Sequence, residues 1–419
     1  MPQSAEMTQS VAVLGAGIIG ISCALELQRR GFQVTLLDRR DPAQETSLGN
    51  AGLLSYSSIT PIASPALLPR IPRLLLNLDD DFLLHYPQLL SLLPWLARFI
   101  LRCRRETYLS DGAAMADLTL ASVDLHKQWI AEAGARHLLN RDGALKLYRH
   151  HQSFQRDHLE RELLERCGVK HTLLSADQIY ELEPDLKRIF ARAVLIDETV
   201  STRNPEKLCQ AYAQMFIDAG GQIGRVAIQS LRPLADGWEV VTEQGSEKTS
   251  RVVVCLGAWT PGLIGQLGYA NPIAIERGYH TVYAPAGGAR LTRPIFDVDA
   301  SYVMAPMEAG LRVSSGSNLV RRETKADPRQ LTRVAPRVRE AFPLAEELLP
   351  EPWMGRRSTV PDTLPIIGRA PRHENLWLAY AHSHMGLTMG PITAQLIANF
   401  ITGSEQPFAV SPCDPARYL

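Results

Sequence analysis

Ten residues near the start of the chain, VAVLGAGIIG from Val11 to Gly20, constrain the fold more than any other stretch. Val11 to Leu14 form a short, wholly apolar run, the pattern of a parallel strand buried on both faces. The run breaks at Gly15, Gly17 and Gly20, a GxGxxG spacing, and Ile21 to Arg30 then read as a helix closed by Gly31. In such a turn the first glycine makes the bend, the second lets backbone approach a pyrophosphate, and the third lets helix lie close on strand. The helix start adds free N–H groups and positive potential. A second strand, Gln33 to Leu37, ends in Asp38, a carboxylate placed to accept ribose hydroxyls. Arg39 and Arg40 follow and leave room for a 2′-phosphate, so the motif alone leaves NAD, NADP and FAD open.

A chain of 419 residues suits two or three domains. Lys+Arg and Asp+Glu each number 44, so no charge excess steers it to nucleic acid. The six cysteines are scattered without a CxxC pair, and the histidines show no metal-binding spacing. No metal is expected. The residues before Val11 are polar, without a basic start or apolar core, so no secretory signal is expected and a cytoplasmic location is.

After Asp38, Asp41 to Ser55 read as a loop whose SLGNAG stretch (Ser47 to Gly52) offers a hydroxyl, an amide and approachable backbone to a cofactor. Helices are expected over Ala113–Gly134, Gln152–Cys167 and Glu206–Ala219, the last capped by Asn204-Pro205. Period-two segments at Gln222–Leu231, Trp238–Glu243 and Thr249–Cys255 read as three strands, and the last runs into a second glycine turn at Gly257. Two such turns at one carboxyl edge place a ligand between them. Residues 272–330 read as antiparallel strands, and Gly386 to Pro391 open a C-terminal helix. Leu67 to Arg105 combines leucine clusters, prolines and a basic end. It is too broken for a membrane span, which leaves an interfacial amphipathic helix or burial in the core.

Taken together, VAVLGAGIIG, Asp38-Arg39, SLGNAG, VVVCLGAW, VPDTLPIIG and AHSHMGLTMGP resemble the FAD-dependent D-amino-acid oxidase superfamily, with its glycine and sarcosine oxidases and D-amino-acid dehydrogenases. LPWLARFILRC and GNAG look most like the bacterial D-amino-acid dehydrogenase branch, and the motifs span nearly the whole chain. The resemblance implies an α/β architecture: a discontinuous Rossmann-like FAD-binding domain (8–60, 196–265, 350–419) and an α+β substrate domain on an antiparallel sheet (61–195, 266–349). It implies non-covalent FAD. Gly15, Gly17 and Gly20 would meet its pyrophosphate and Asp38 with Arg39 its adenosine end. Ser47, Gly49, Asn50, Ala51 and Gly52 would lie along the phosphate and ring, Val226 by the adenine, and Gly257 at the second turn. The amides of Gly386, Leu387 and Thr388 would point at the flavin pyrimidine oxygen, where reduced flavin gathers charge.

Arg357 matches the arginine that clamps the substrate carboxylate through two parallel hydrogen bonds. Strand alternation allows only one of Arg356 and Arg357 to face the pocket. Tyr279 and Tyr302 are candidates for further pocket contacts or plain sheet residues. The expected activity is oxidative deamination of an amino acid, with electrons going to a quinone or respiratory-chain acceptor at a membrane touched through 67–105. A glycine, sarcosine or imino-acid oxidase using oxygen, an NADP-dependent oxidoreductase and a flavin-binding subunit without turnover are the rivals.

Overall fold

The computed structural model describes residues 10–79, 82–270 and 272–419. The polar leader before Ser10, and residues 80 and 81 of the leucine-rich segment, lie outside them. Six strands form the nucleotide sheet, in the order Gln222–Arg225, Gln33–Asp38, Ser10–Leu14, Arg251–Val254, Leu376–Tyr380, Ile366–Arg369. All neighbours run parallel except the last pair. The apolar run of the first strand is explained by its position. Val11 and Val13 join the core under the helices, while Ala12 and Leu14 join the opposite core with Leu231, Trp238 and Val240 of an antiparallel meander. Both faces are covered, so no polar alternation survives.

The opening helix is Ile18–Arg29, three residues earlier than the periodicity predicts. Gly17 takes the extended N-cap conformation, and the Ser47 hydroxyl, from a distant loop, accepts the Ile18 N–H at 3.0 Å. A remote cap is invisible to local sequence rules. The expected strand 222–231 is two strands. Val226 donates its N–H to the Asp38 carbonyl at 2.7 Å, ending the parallel pairing, and Ile228–Leu234 turns away into the meander.

The second sheet is larger. Its strands include Ala144–Tyr148, Ala274–Pro285, Tyr302–Met307, Gly310–Leu319 and Trp353–Thr359. Pairing is mostly antiparallel, with parallel exceptions at Ile295–Asp297 against Ala144–Tyr148 and Phe82–Leu84 against Gly310–Leu319. Helix Arg329–Ala341 covers one face through Val334 and Val338. The other face looks toward the nucleotide sheet. Two segments depart from the expected division. Trp353–Thr359, expected with the nucleotide-binding part, pairs with Ala274–Pro285 in the second sheet. Helix Arg105–Glu132, expected in the substrate part, packs Met115, Leu118 and Trp129 into the nucleotide core beside helix Gly386–Thr402.

The helices of the leucine-rich segment are at the surface, while Leu83 and Leu84 of strand Phe82–Leu84 are buried. Helices Pro65–Arg70, Ile71–Leu75 and Leu89–Arg102 contain no buried residue, and Leu76, Leu90 and Leu101 are 64%, 82% and 60% exposed. Burial in the core is therefore excluded for these leucines. The Trp95 indole N–H, donated to the Thr359 carbonyl at 3.1 Å, ties this helix to the second sheet. Among the described residues no helix is long and apolar enough to cross a membrane.

A side chain at Gly20 would put its Cβ 1.7 Å from the Gly15 carbonyl oxygen, a backbone atom that cannot swing aside. Gly20→Ala is expected to destabilise the fold by about 1–3 kcal/mol, the usual cost of overpacking. It should also lower retained cofactor; a variant with unchanged melting temperature and cofactor content would refute the packing argument.

Candidate active site

Between the two sheets lies a cavity of about 940 Å³. Gly15, Gly17, Asp38, Arg39, Ser47, Gly49, Asn50, Ala51 and Gly257 line it at the carboxyl edge of the nucleotide sheet. Gly15 has φ +109°, and a Cβ there would sit 2.6 Å from the Cys255 carbonyl oxygen. The turn is thus wedged between the neighbouring strand and Gly20. Asp38 is held in place: one carboxylate oxygen accepts the Ala16 N–H at 2.7 Å and the other the Arg40 N–H at 3.0 Å. Each oxygen keeps a further lone pair for a ribose hydroxyl. Arg39 lies over the Trp259 ring at 4.3 Å and pairs with Glu45, which also meets Arg40 at 3.2 Å. One carboxylate therefore shares the two cations that left room for a 2′-phosphate.

The loop Ser47–Gly52 is clamped from behind. Arg312 donates to the carbonyls of Leu48 at 3.0 Å and Asn50 at 2.6 Å, and burial pushes its pKa down to about 10. The Asn50 side chain accepts the Gly52 N–H at 2.8 Å, and Gly49 leaves space filled by the Trp353 ring. Gly52 has φ +79° and lies behind this wall, bonded through its carbonyl to Thr202 N–H at 2.7 Å. Val226 does not reach the cavity. Its N–H is spent on Asp38, and Ala227, Ile228 and Gln229 form the wall instead.

At the far side, helix Gly386–Thr402 starts at the cavity with Gly386, Leu387 and Thr388 in its lining. Met389 N–H is bonded to Met385 O; the amides before it have no partner within the helix. The positive end of the helix thus faces the cavity. His126 steadies it: Nε2 donates to the Leu387 carbonyl at 2.9 Å while Nδ1 accepts from the Tyr212 hydroxyl at 2.8 Å.

Arg357 sits where strand Trp353–Thr359 pairs with Ala274–Pro285, directly opposite Glu276. Its Nη1 is 2.9 Å from a Glu276 carboxylate oxygen and 3.4 Å from the Gly316 carbonyl, and Nε and Nη2 have no partner among the described residues. Gly278 makes room for it, since a Cβ there would be 2.2 Å from Nη2. Arg356 also lines the cavity, so both arginines reach it and not one as strand alternation predicts, but Arg356 does so away from Glu276, donating to the Arg322 carbonyl at 3.3 Å and lying near Trp259 at 5.8 Å. His384 closes the group: its Nε2 is 2.6 Å from the same Glu276 oxygen. Burial alone would raise the Glu276 pKa, but His384 and Arg357 hold it well below the ordinary carboxylate range.

Of the two tyrosines, Tyr302 borders the cavity and Tyr279 does not. Tyr279 and Tyr302 pack in the core beneath helix Arg329–Ala341. The Tyr279 hydroxyl accepts the Asp327 N–H at 2.9 Å. Tyr302 borders the cavity but is 1% exposed, and burial and the Asp297 carboxylate raise its pKa well above that of a free phenol. Strand alternation decides this: Glu276, Gly278 and His280 occupy the cavity face, so Tyr279 cannot. Glu276, His384, Gly278, Arg312 and Trp259 are the residues that sequence reasoning missed. A Glu-Arg-Gly run near the start of a strand was the available signal for the first.

Two helix starts facing one cavity, a glycine cradle without room for side chains and a fixed ribose-reaching carboxylate fit a flavin dinucleotide. The class is a dinucleotide-binding oxidoreductase. Residues 10–400 match the family model described as DAO, FAD dependent oxidoreductase, and the chain belongs to that family. It is 30% identical to a D-amino-acid oxidase of Bradyrhizobium diazoefficiens, over 98% of this chain and 99% of the relative. It is 29% identical to a D-amino acid dehydrogenase of Chromohalobacter salexigens, over 97% and 99%. Its fold is similar to that of a glycine oxidase from Geobacillus kaustophilus, with TM-score 0.76, 20% identity and 98% of each chain covered. The protein is an FAD-dependent oxidoreductase acting on amino donors.

Three buried histidines surround this site in neutral form. Burial depresses the pKa of His126 to about 4, and of His280 and His382 to about 3 each. Each lies below the unfolded value of 6.5, so the unfolded chain binds more protons in between. Their contribution to stability is intact above pH 6.5 and is lost as pH falls toward 4 and 3. The melting temperature is expected to fall steadily on acidification from pH 6.5 to 4.5; a flat profile there would contradict this assignment.

Proposed function

We propose that the protein oxidises a small D-amino acid at its α carbon to an imine, which water hydrolyses to the keto acid, and that the electrons go to a quinone-type acceptor. The supporting observation is the half-anchored Arg357. Glu276 takes one Nη, and the remaining edge of the guanidinium borders a cavity whose opposite wall is a helix N-terminus. A substrate carboxylate on that edge would be gripped by a group already held in one rotamer, so little entropy is lost on binding. When bound, FAD supplies the hydride acceptor. The chain supplies position and charge: Arg357 orients the substrate, and the Gly386–Thr388 amides stabilise negative charge at their end of the cavity. The D preference rests on relatives named D-amino-acid oxidase and D-amino acid dehydrogenase.

The acceptor reading rests on the exposed leucines of 67–105. We place them against an anionic membrane surface, on the inner face of the cytoplasmic membrane, where a quinone is within reach. The basic end contributes less than its composition suggests, because Arg102 pairs with Asp111 and Arg105 with Glu162. Arg98 and Arg104, without carboxylate partners among the described residues, carry the charge. Oxygen as acceptor is the second reading, favoured by the 30% identical relative named an oxidase.

Arg357→Met should strand the Glu276 carboxylate and cost about 3–5 kcal/mol in transition-state binding, or about two to four orders of magnitude in kcat/KM. Arg356→Met should cost far less, and both should retain flavin. Equal losses in the two variants would overturn the clamp. A panel of D- and L-amino acids, assayed with a soluble quinone and separately with oxygen, tests stereochemistry and acceptor together. Sedimentation with anionic vesicles should show binding that weakens with salt and is lost in Leu90→Ser/Leu101→Ser. No binding combined with fast peroxide production would overturn the membrane reading.

A further inference from the structure

The Glu276–His384 pair has a geometry that clamping a carboxylate does not require. A carboxylate only accepts hydrogen bonds, so the 2.6 Å contact places the proton on His384 Nε2. In the neutral ring Nδ1 then keeps its lone pair, and it has no partner among the described residues. His384 borders the cavity, its side chain is 36% exposed, and Nε2 lies 3.0 Å from Arg357 Nη1. The loop that carries it is held rigidly. Ala381 and Ser383 have φ of 63° and 50°, and Ser383 N–H is bonded to the Ser358 carbonyl at 3.1 Å, next to the clamp. Non-glycine residues keep such angles only where their surroundings enforce them.

We propose that His384 is the general base that takes the proton from the substrate's ammonium group, with Glu276 orienting the ring and balancing the imidazolium. The proposal rests on the amino-acid reading above. With the carboxylate on Arg357, the α-amine would lie one carbon away, within the cavity that His384 also lines. The ammonium N–H bond breaks, its electron pair stays on nitrogen, and the proton bonds to Nδ1. That nitrogen pair forms the C=N bond as the Cα hydrogen departs with its own electron pair, in the oxidation the flavin supplies. The imidazolium faces the Glu276 carboxylate and, being partly exposed, returns its proton to water at the cavity mouth. The charged groups facing His384 are Glu276 from strand Ala274–Pro285 and Arg357 from Trp353–Thr359; the third neighbouring strand presents Gly316 and Ser317.

The test is the pH dependence of kcat/KM in the flavin-loaded protein and in His384→Gln, with His384→Asn as a second variant should the first lose flavin. In the unmodified protein the acid limb should lie well below the titration of the substrate amine. In the variants it should move up to that titration, so activity falls about 10²-fold or more at pH 7 and converges with the unmodified protein at high pH. Binding of benzoate, a carboxylate without an amine, followed by its perturbation of flavin absorption, should change less than threefold. A uniform loss across pH, or loss of benzoate binding, would overturn the base and assign His384 a structural role. Absence of turnover in the unmodified protein with every amino donor would instead overturn the reading on which the base rests.

Discussion

The architecture depends on one contact that only glycine permits. The Gly15 carbonyl occupies the place a Gly20 side chain would take, while the Cys255 carbonyl occupies the place a Gly15 side chain would take. Strand, turn and helix are therefore stacked at backbone contact, with the second crossing strand pressed against the same point. This brings the first amides of Ile18–Arg29, the end of Gln33–Asp38 and the turn at Gly257 to one edge. A bulkier turn would separate them, and Asp38 could no longer accept the Ala16 N–H. The cavity is what remains beyond an edge packed this tightly.

The second sheet adds what the first lacks, a fixed cation opposite a helix N-terminus. A buried carboxylate such as Glu276, 3% exposed, is costly unless paired. The antiparallel register sets Arg357 directly across from it, and the Ala381–Met385 loop delivers His384 from the nucleotide sheet. The two sheets are thus joined electrostatically at the point where substrate would sit. Gly278 is a corollary of this arrangement: the guanidinium lies where its side chain would be. Because the clamp is held by its neighbours and not by substrate, it is oriented before anything binds.

Legibility in the sequence followed the range of the forces involved. The first strand, its glycines and Asp38 were readable because spacing within thirty residues carries their function. The parallel core was readable from apolar runs, and the helix after Asn204 from its cap, which accepts the Lys207 N–H at 3.0 Å as the motif requires. What could not be read is what one segment does to another far away. Ser47 caps a helix 29 residues earlier. Val226 is diverted by a carbonyl on a neighbouring strand, so the adenine wall begins at Ala227. Tyr279 and Glu276 are three residues apart on one strand and therefore face opposite sides, but which side was the cavity depended on helix Arg329–Ala341 covering the other. The leucines of 67–105 gave an ambiguous pattern, since amphipathic surface and core use the same residues. Only burial separates the two: Leu76, Leu90 and Leu101 are surface residues, Leu83 and Leu84 core.

The distribution of charge around the cavity argues that cofactor and fold are energetically linked. Arg277 is fully buried with its two Nη groups on the carbonyls of Lys325 and Arg322, and Arg312 is buried with Nη1 on the carbonyls of Leu48 and Asn50. Carbonyl dipoles solvate these cations but do not neutralise them. Desolvation lowers the Arg356 pKa, and among its neighbours Arg277, Arg39 and Arg40 lower it further, against only Glu45 in the other direction. Like charges gathered this way raise the energy of the folded chain unless an anion lies among them. Two helix N-termini add to the same positive potential. A pyrophosphate at the glycine turn supplies the missing charge. A dinucleotide bringing negative charge among these arginines would offset that repulsion, and binding that favours only the folded state would stabilise it by mass action.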